Sequence, residues 1–348
     1  MHSYEHGGET YDKEITLDFS ANINPFGLPE GVKDALLKGI DSFNVYPDQH
    51  CRKLRTDLAK KIGIEDKSLI IGNGASDIIF RICFAVKPKK ALLLAPTFSE
   101  YEKALKAAGC DIDYYALKAE DNYCLTEQFI NALTADFDIV FLCNPNNPVG
   151  NILEKRLVKK IQKVCKEKKI FLVMDECFLD FTNQCIEASL LSYIKGNENL
   201  LILKAFTKFY AMAGLRLGYG ICSNRELIKA MEYAGPSWNV SIPAQIAGIA
   251  ALKEDAYDKA TYEWLLNERD YLYEGLLRLE FKVYKPEANY IFFKGAENLY
   301  EDMLEKGILL RQCANYRGLS GEYYRIAVKT RKENEQLLKA IKEWRAYA

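Results

Sequence analysis

Everything about this chain turns on "LKAFTKFYAMAGLRLGYG", residues 203–220. Lys208 stands among Phe206, Phe209, Tyr210 and Met212, and Arg216 follows in a run of small and apolar residues. An ammonium taken out of water without a partner is costly, so lysines are normally left at the surface. Apolar surroundings and a nearby guanidinium both push an amine's pKa down, which makes it a usable nucleophile toward a carbonyl. The plain alternative is a lysine whose stem lies along apolar surface while its head reaches water.

The flanking sequence shows what framework holds this stretch. Short apolar runs alternate with helical patterns: "SLII" (68–71), "ALLLA" (91–95), "DIVFLC" (138–143), "IFLVM" (170–174), "LLIL" (200–203) and "LGYGIC" (217–222). In 154–168, Leu157, Ile161, Val164 and Cys165 recur at helical spacing with lysines on the other face. Strands without polar alternation imply a sheet covered on both faces, and strand–helix alternation implies that it is mostly parallel. After about residue 255 the character changes. A long helical pattern, "YDKATYEWLLNERDYLYEGLLRL", precedes the strand-like runs "FKVY", "NYIFF", "GILLRQ" and "EYYRIAV". A last helix over 331–346 carries Leu337, Leu338, Ile341 and Trp344 on one stripe. The expectation is a large α/β domain over 31–255 and a smaller α+β domain formed by 1–30 and 256–348.

In open α/β sheets, ligands bind outside the carboxyl ends of the strands. The first run ends in "GNGASD" (72–77), a Gly-rich turn opening a helix, which suits a phosphate. It lacks the third glycine of a dinucleotide fingerprint and the Gly-Lys-Ser/Thr of a P-loop. The run at 138–143 ends in "NPNNPVG", a rigid turn able to hold the amide of Asn147 toward a cleft. The run at 170–174 ends in Asp175–Glu176, and a carboxylate there needs a helix terminus, an arginine or a ligand cation. Each signal alone also fits a plain turn or cap. Together with Lys208 they make four strand-end signals in one sheet, which is far harder to put down to coincidence.

Composition narrows the classes. The 348 residues are 49% apolar and 27% charged, with 47 Lys plus Arg against 48 Asp plus Glu, a net charge of −1. Such a balance gives no bulk attraction to nucleic acid or an acidic membrane. The ten cysteines show no CxxC and no metal-type spacing, and they read as buried thiols in a reducing compartment. The amino-terminal "MHSYEHGGETYDKE" is too polar for a signal peptide. No apolar run approaches the roughly 18 residues a membrane helix needs. The expected location is the cytoplasm.

The series "NPNNPVG", "MDECF", "TKFYAMAGLRLG" resembles the pyridoxal-phosphate (PLP) enzymes of aminotransferase fold type I, over nearly the whole chain. Within that family it is most similar to the branch holding histidinol-phosphate aminotransferases and L-threonine-O-3-phosphate decarboxylases. "HGG", "LDFSANINPFG", "PTFSEY", "FTKFYA" and "CANYRGL…YYRIAVK" look more like the decarboxylases, which serve cobalamin biosynthesis. The resemblance implies a mostly parallel seven-stranded sheet in the large domain, a smaller carboxy-terminal α+β domain and a homodimer. It implies that Lys208 forms the Schiff base with the cofactor aldehyde and then shuttles protons, and that Asp175 pairs with the pyridinium N–H. Asn147 would bond the ring's 3-oxygen and Phe98 would stack on the ring. Gly74, Ala75, Ser76 and Arg216 would hold the cofactor phosphate, with Tyr46 of "NVYPD" reaching it from a neighbouring subunit, and Thr207 would also bind the cofactor. Arg325 would grip the substrate carboxylate, a task suited to a planar guanidinium. Arg311, Asn22 and His6 are candidates for the rest of the substrate, including a second phosphate.

Two positions depart from the wider family. Ala205 stands where a hydroxyl commonly binds the cofactor phosphate, and Phe178 where a tyrosine commonly bonds the 3-oxygen. The second change removes one hydrogen bond beside a charge, worth about 1–2 kcal/mol. PLP chemistry follows whichever bond at the substrate's α-carbon stands perpendicular to the ring, so the fold alone does not choose between decarboxylation and transamination. Arg311, Arg325 and Lys329 suggest a doubly anionic substrate such as a phosphorylated amino acid. The detailed motifs favour decarboxylation of L-threonine O-3-phosphate to 1-amino-2-propanol O-2-phosphate over a histidinol-phosphate aminotransferase. A PLP-sensing regulator would need an attached DNA-binding module, and the chain begins directly with the enzyme-like segment.

Overall fold

The computed structural model describes residues 6–12, 14–182 and 185–347, so the first five residues of the polar amino-terminal run lie outside it. The strands, in chain order, are β1 (Leu17–Asp18), β2 (Leu69–Gly72), β3 (Lys90–Ala95), β4 (Asp111–Ala116), β5 (Ile139–Cys143), β6 (Phe171–Asp175) and β7 (Leu200–Ala205). They continue with β8 (Gly218–Ile221), β9 (Lys282–Val283), β10 (Tyr290–Lys294), β11 (Ile308–Leu309), β12 (Arg311–Gln312) and β13 (Tyr323–Ala327). Seven of them form one sheet in the order β2-β8-β7-β6-β5-β3-β4. The six apolar runs all became strands of this sheet. The seventh strand, β4, was not among them, because its residues alternate between exposed and half-buried at the sheet edge.

The apolar runs are buried because the sheet is covered on both faces. In β5, Val140 and Leu142 enter one hydrophobic cluster while Ile139, Phe141 and Cys143 enter another. β6 divides the same way, with Leu172 and Met174 on one side and Phe171 and Val173 on the other. The helix Lys155–Lys168 covers one face through Leu157, Val158, Ile161 and Cys165, with Val164 only partly buried. The helix Ala75–Val86 covers the opposite face through Ile78, Ile79 and Ile82. All ten cysteines are free thiols, eight of them buried.

Direction matters more than order for the site. The pairs β4–β3, β3–β5, β5–β6 and β6–β7 are parallel, while β8 runs antiparallel to both β7 and β2. The carboxyl ends of β2, β3, β5, β6 and β7 therefore open on one edge of the sheet, and the amino end of β8 joins them. Ala205 of β7 sits opposite Gly218 of β8, so residues 206–217 form a loop closed at that edge.

A second, antiparallel sheet has the order β12-β13-β10-β9. It packs with the helices Asp255–Arg278 and Arg331–Tyr347 around a third cluster that includes Leu265, Leu272, Phe293 and Ile341. The amino-terminal segment is tied to this end. β1 pairs with β11, Phe19 N–H bonds Leu309 O at 2.8 Å, and Ala327 N–H bonds Phe19 O at 2.8 Å. That attachment carries Ser20 and Asn22 to the open edge of the large sheet. Among the described residues, no helix is long and apolar enough to cross a membrane.

Candidate active site

A cavity of about 430 Å³ lies at that edge. Of the residues singled out from the sequence, Lys208, Asp175, Asn147, Ala75, Ser76, Phe98, Thr207, Arg216, Arg325, Arg311, Asn22 and His6 all line it. Gly74 stands just behind the wall, and Tyr46 is 77% exposed, stacked on Trp238 at 4.6 Å away from the cavity. Lys329 is placed differently from the expectation. It lies beyond the end of β13, its ammonium 3.9 Å from Glu333, and does not line the cavity.

Lys208 enters from the short helix Phe206–Phe209, which continues directly from β7. Phe206 and Phe209 are buried and fix that turn, so the lysine between them is turned to the cavity. Among the described residues its ammonium has no hydrogen-bond or carboxylate partner. Burial, then the guanidiniums of Arg325 and Arg216, pull its pKa down to about 8. Arg216 alone was foreseen as the like charge; Arg325 acts more strongly.

Asp175 ends β6 and is 5% exposed. Its partners are neither an arginine nor a helix end. Cys177 N–H donates to Oδ1 at 2.9 Å and Tyr101 O–H donates to Oδ2 at 2.6 Å. Burial raises this carboxyl's pKa, and the Cys177 and Tyr101 bonds oppose that rise. Tyr101 is itself fully buried, stacked on Phe141 at 5.1 Å and edge-on to Phe98 at 5.6 Å.

Asn147 follows β5 in the "NPNNPVG" turn and is 5% exposed. Arg325 Nη1 donates to its Oδ1 at 2.5 Å, and Tyr316 O–H is 3.2 Å from the same atom. A guanidinium only donates, so the atom it meets must be the amide oxygen, and the tyrosine must donate as well. Among the described residues the amide nitrogen has no protein partner, and Asn147 lines the cavity. Arg325 also donates from Nη2 to Ser20 O at 2.9 Å, while its buried Nε has no partner among the described residues.

The helix Ala75–Val86 begins at the same edge. Its amino-terminal residue Gly74 has φ +81 and offers no side-chain cap, so the first-turn N–H groups remain for a ligand. A Cβ on Gly74 would sit 2.7 Å from Arg216 Nη2, and one on Gly218 would sit 2.4 Å from Ala75 N. Two glycines thus let the arginine and the helix end close on one anion-sized cradle. Ala205 brings no hydroxyl to the wall, and Phe178 meets Tyr290 edge-on at 5.1 Å.

The opposite wall belongs to the second sheet. Arg311 and Arg325 are direct cross-strand partners on β12 and β13, so their side chains leave the same face. Arg311 Nη2 donates to Asn315 Oδ1 at 2.7 Å. His6 Nε2 lies 3.0 Å from Glu100 Oε1 and its ring 5.6 Å from that of Phe98. The His6 hydrogen bond holds the Glu100 carboxyl below its ordinary pKa. Both amide atoms of Asn22 are buried and lack partners among the described residues.

Sequence reasoning assigned no role to Tyr101, Tyr316 or Glu100, although "PTFSEY" and "CANYRGL" contain them. Each reaches its partner across 74, 169 and 94 residues of chain, respectively. No local pattern encodes such a meeting.

PLP fits these residues. Lys208 can take its aldehyde, Asp175 its ring N–H, the amide nitrogen of Asn147 its 3-oxygen, and the Gly74–Ser76 turn with Arg216 its phosphate. The unpartnered amine, the unpartnered amide nitrogen and the uncapped helix end are the groups such a molecule would satisfy.

Comparison with known proteins agrees. The family profile "Aminotransferase class I and II" matches residues 14–341. The threonine-phosphate decarboxylase of Salmonella typhimurium is 38% identical over 330 residues, covering 94% of this chain and 90% of that protein. The histidinol-phosphate aminotransferase of Methanosphaera stadtmanae is 28% identical over 95% of this chain and 91% of that one. The crystal structure of the histidinol-phosphate aminotransferase from Clostridium acetobutylicum superposes with a TM-score of 0.90 at 32% identity, covering 95% of this chain and 100% of that one. With this fold, this cavity and these relatives, the chain belongs to the class I and II aminotransferase family and is a PLP-dependent enzyme.

Proposed function

We propose that this enzyme decarboxylates L-threonine O-3-phosphate to 1-amino-2-propanol O-2-phosphate, a step of cobalamin biosynthesis. The observation that carries the reading is the cross-strand pair Arg311–Arg325 on the cavity wall. Two neighbouring guanidiniums repel each other unless anions come between them, and a phosphorylated amino acid brings two. Arg216 and the helix end are accounted for by the cofactor phosphate. The 38% identity to the Salmonella threonine-phosphate decarboxylase supports the same reading.

In this scheme Arg325 takes the carboxylate and Arg311 the phosphate, with Asn22 and His6 completing the wall. Bound here, PLP supplies the electron sink for the pair left on the α-carbon when carbon dioxide departs. Asp175, buried and bonded at both oxygens, holds its charge against the ring nitrogen. Lys208, with a pKa near 8, is able to give the α-carbon its replacement proton near neutral pH. The exposed Tyr46 is assigned to the cavity of a second copy in a homodimer.

A second reading, histidinol-phosphate transamination, is favoured by the likeness to the Clostridium acetobutylicum aminotransferase. One comparison separates them. Purified enzyme is offered O-phospho-L-threonine while carbon dioxide is followed, and histidinol phosphate with 2-oxoglutarate while glutamate is followed. Carbon dioxide release from the first is expected. Turnover of the second pair alone overturns the proposal.

A further inference from the structure

Three buried phenols stand around the cavity, and each holds a different group at the strand ends. Tyr101 O–H donates to the carboxylate of Asp175 and Tyr290 O–H to the carbonyl of Asn146 at 2.9 Å. The third, Tyr316, follows β12 in a turn where its N–H bonds Cys313 O at 3.0 Å. It is 7% exposed, lines the cavity, and has the guanidinium of Arg311 over its ring at 5.5 Å. Its hydroxyl meets Asn147 Oδ1 at 3.2 Å.

We propose that Tyr316 is a positioning residue that keeps the amide of Asn147 turned with its nitrogen toward the cofactor. The inference rests on the PLP reading of this cavity. Asn147 has two holders, Arg325 and Tyr316, and they differ in what else they do. Arg325 also holds Ser20 O and lines the cavity beside Arg311, at the place assigned to a substrate anion. An arriving anion competes for that guanidinium. Tyr316 carries no charge; its oxygen can accept from the Arg311 guanidinium while its one O–H donates to Asn147 Oδ1. It is the donor that stays on Asn147 whichever way Arg325 turns. Phe178, also on the wall, has no hydroxyl to share the task.

The consequence is electrostatic. A donor at the cofactor's 3-oxygen favours the form with more negative charge there, and so eases loss of the proton on the neighbouring lysine-linked nitrogen. If the amide loosens, that proton is held more tightly. The visible absorbance of the bound cofactor changes with this proton, so its pH midpoint reports on Tyr316 without any turnover.

The experiment titrates the visible absorbance of four PLP-loaded proteins: wild type, Tyr316→Phe, Asn147→Ala and the double variant. Tyr316→Phe is expected to raise the midpoint by about one pH unit, a tenfold change in proton affinity. It should also lower kcat several-fold with KM for O-phospho-L-threonine little changed. In the Asn147→Ala background the same tyrosine change should move the midpoint hardly at all, because its target is gone. An unmoved midpoint in Tyr316→Phe overturns the proposal. So does an equal shift with and without Asn147, which would make Tyr316 act on its own. Wild-type protein that gains no visible absorbance with PLP overturns the cofactor reading itself and this inference with it.

Discussion

Lys204 and Lys208 sit four residues apart at the end of β7, and both are withdrawn from solvent. Lys204 faces the carboxylates of Asp180 at 2.5 Å and Glu176 at 3.9 Å. It lies on the wall of a second cavity, of about 500 Å³, whereas Lys208 lines the first. Burial alone would lower the pKa of either amine. Asp180, with Tyr219 and Glu176 behind it, holds that of Lys204 well above the ordinary value. Lys208 has cations for neighbours and falls to about 8. Burial thus sets the stakes for a lysine, and the sign of the surrounding charge decides whether it becomes a structural ion or a nucleophile.

The comparison is broken most directly at Lys208. Lys208→Ala is expected to lower turnover by about 10³–10⁴-fold, the worth of a positioned acid–base group. It should bind PLP without the borohydride-reducible link expected of wild type; activity within tenfold of wild type would remove the lysine from the chemistry. Next comes the pH dependence of cofactor attachment. Only the neutral amine attacks the aldehyde, so the rate at which cofactor-free protein takes up PLP should rise about tenfold per pH unit and level off above about 8. A plateau reached only near 10.5, the ordinary value for lysine, would show that its neighbours do nothing to it.

Lys204 sharpens the contrast from the other side. Lys204→Met leaves Glu176, which is fully buried, without its nearest cation. The expected loss is about 3 kcal/mol of stability, read as a lower urea midpoint, with cofactor attachment kept. Because the pKa of Lys204 is raised on folding, its contribution is complete below the unfolded value near 10.5 and fades only as pH climbs toward the folded value. The deficit should therefore be the same at pH 6 and pH 8. A variant as stable as wild type that no longer takes up PLP would mean that the two lysines share one task.

How much of this could be read from the sequence depended on whether a residue's job was set by its own strand. Lys208, Asp175 and Asn147 each follow an apolar strand directly, so strand and strand end were legible together. Arg311 and Arg325 were named by the resemblance and by their charge, and only the register of β12 and β13 shows that they stand side by side. Lys329 was grouped with them by charge alone, and it lies beyond Ala327, where the strand ends. β4 escaped because an edge strand is wetted along one side and looks polar. Tyr101 and Tyr316 were visible as letters and mute as chemistry. Their roles are created by packing between distant segments, which periodicity does not record.

The reversed strand β8 has a mechanical result. Because β7 and β8 pair as a hairpin from Ala205↔Gly218 down to Ile202↔Ile221, residues 206–217 are clamped at both feet to the same ladder. Lys208 rides just after one foot and Arg216 just before the other. The proposed covalent anchor and the proposed grip on the cofactor phosphate are therefore spans of a single arch. The distance across that arch is gauged by the hairpin beneath it, so the two groups proposed to hold the cofactor keep one fixed spacing.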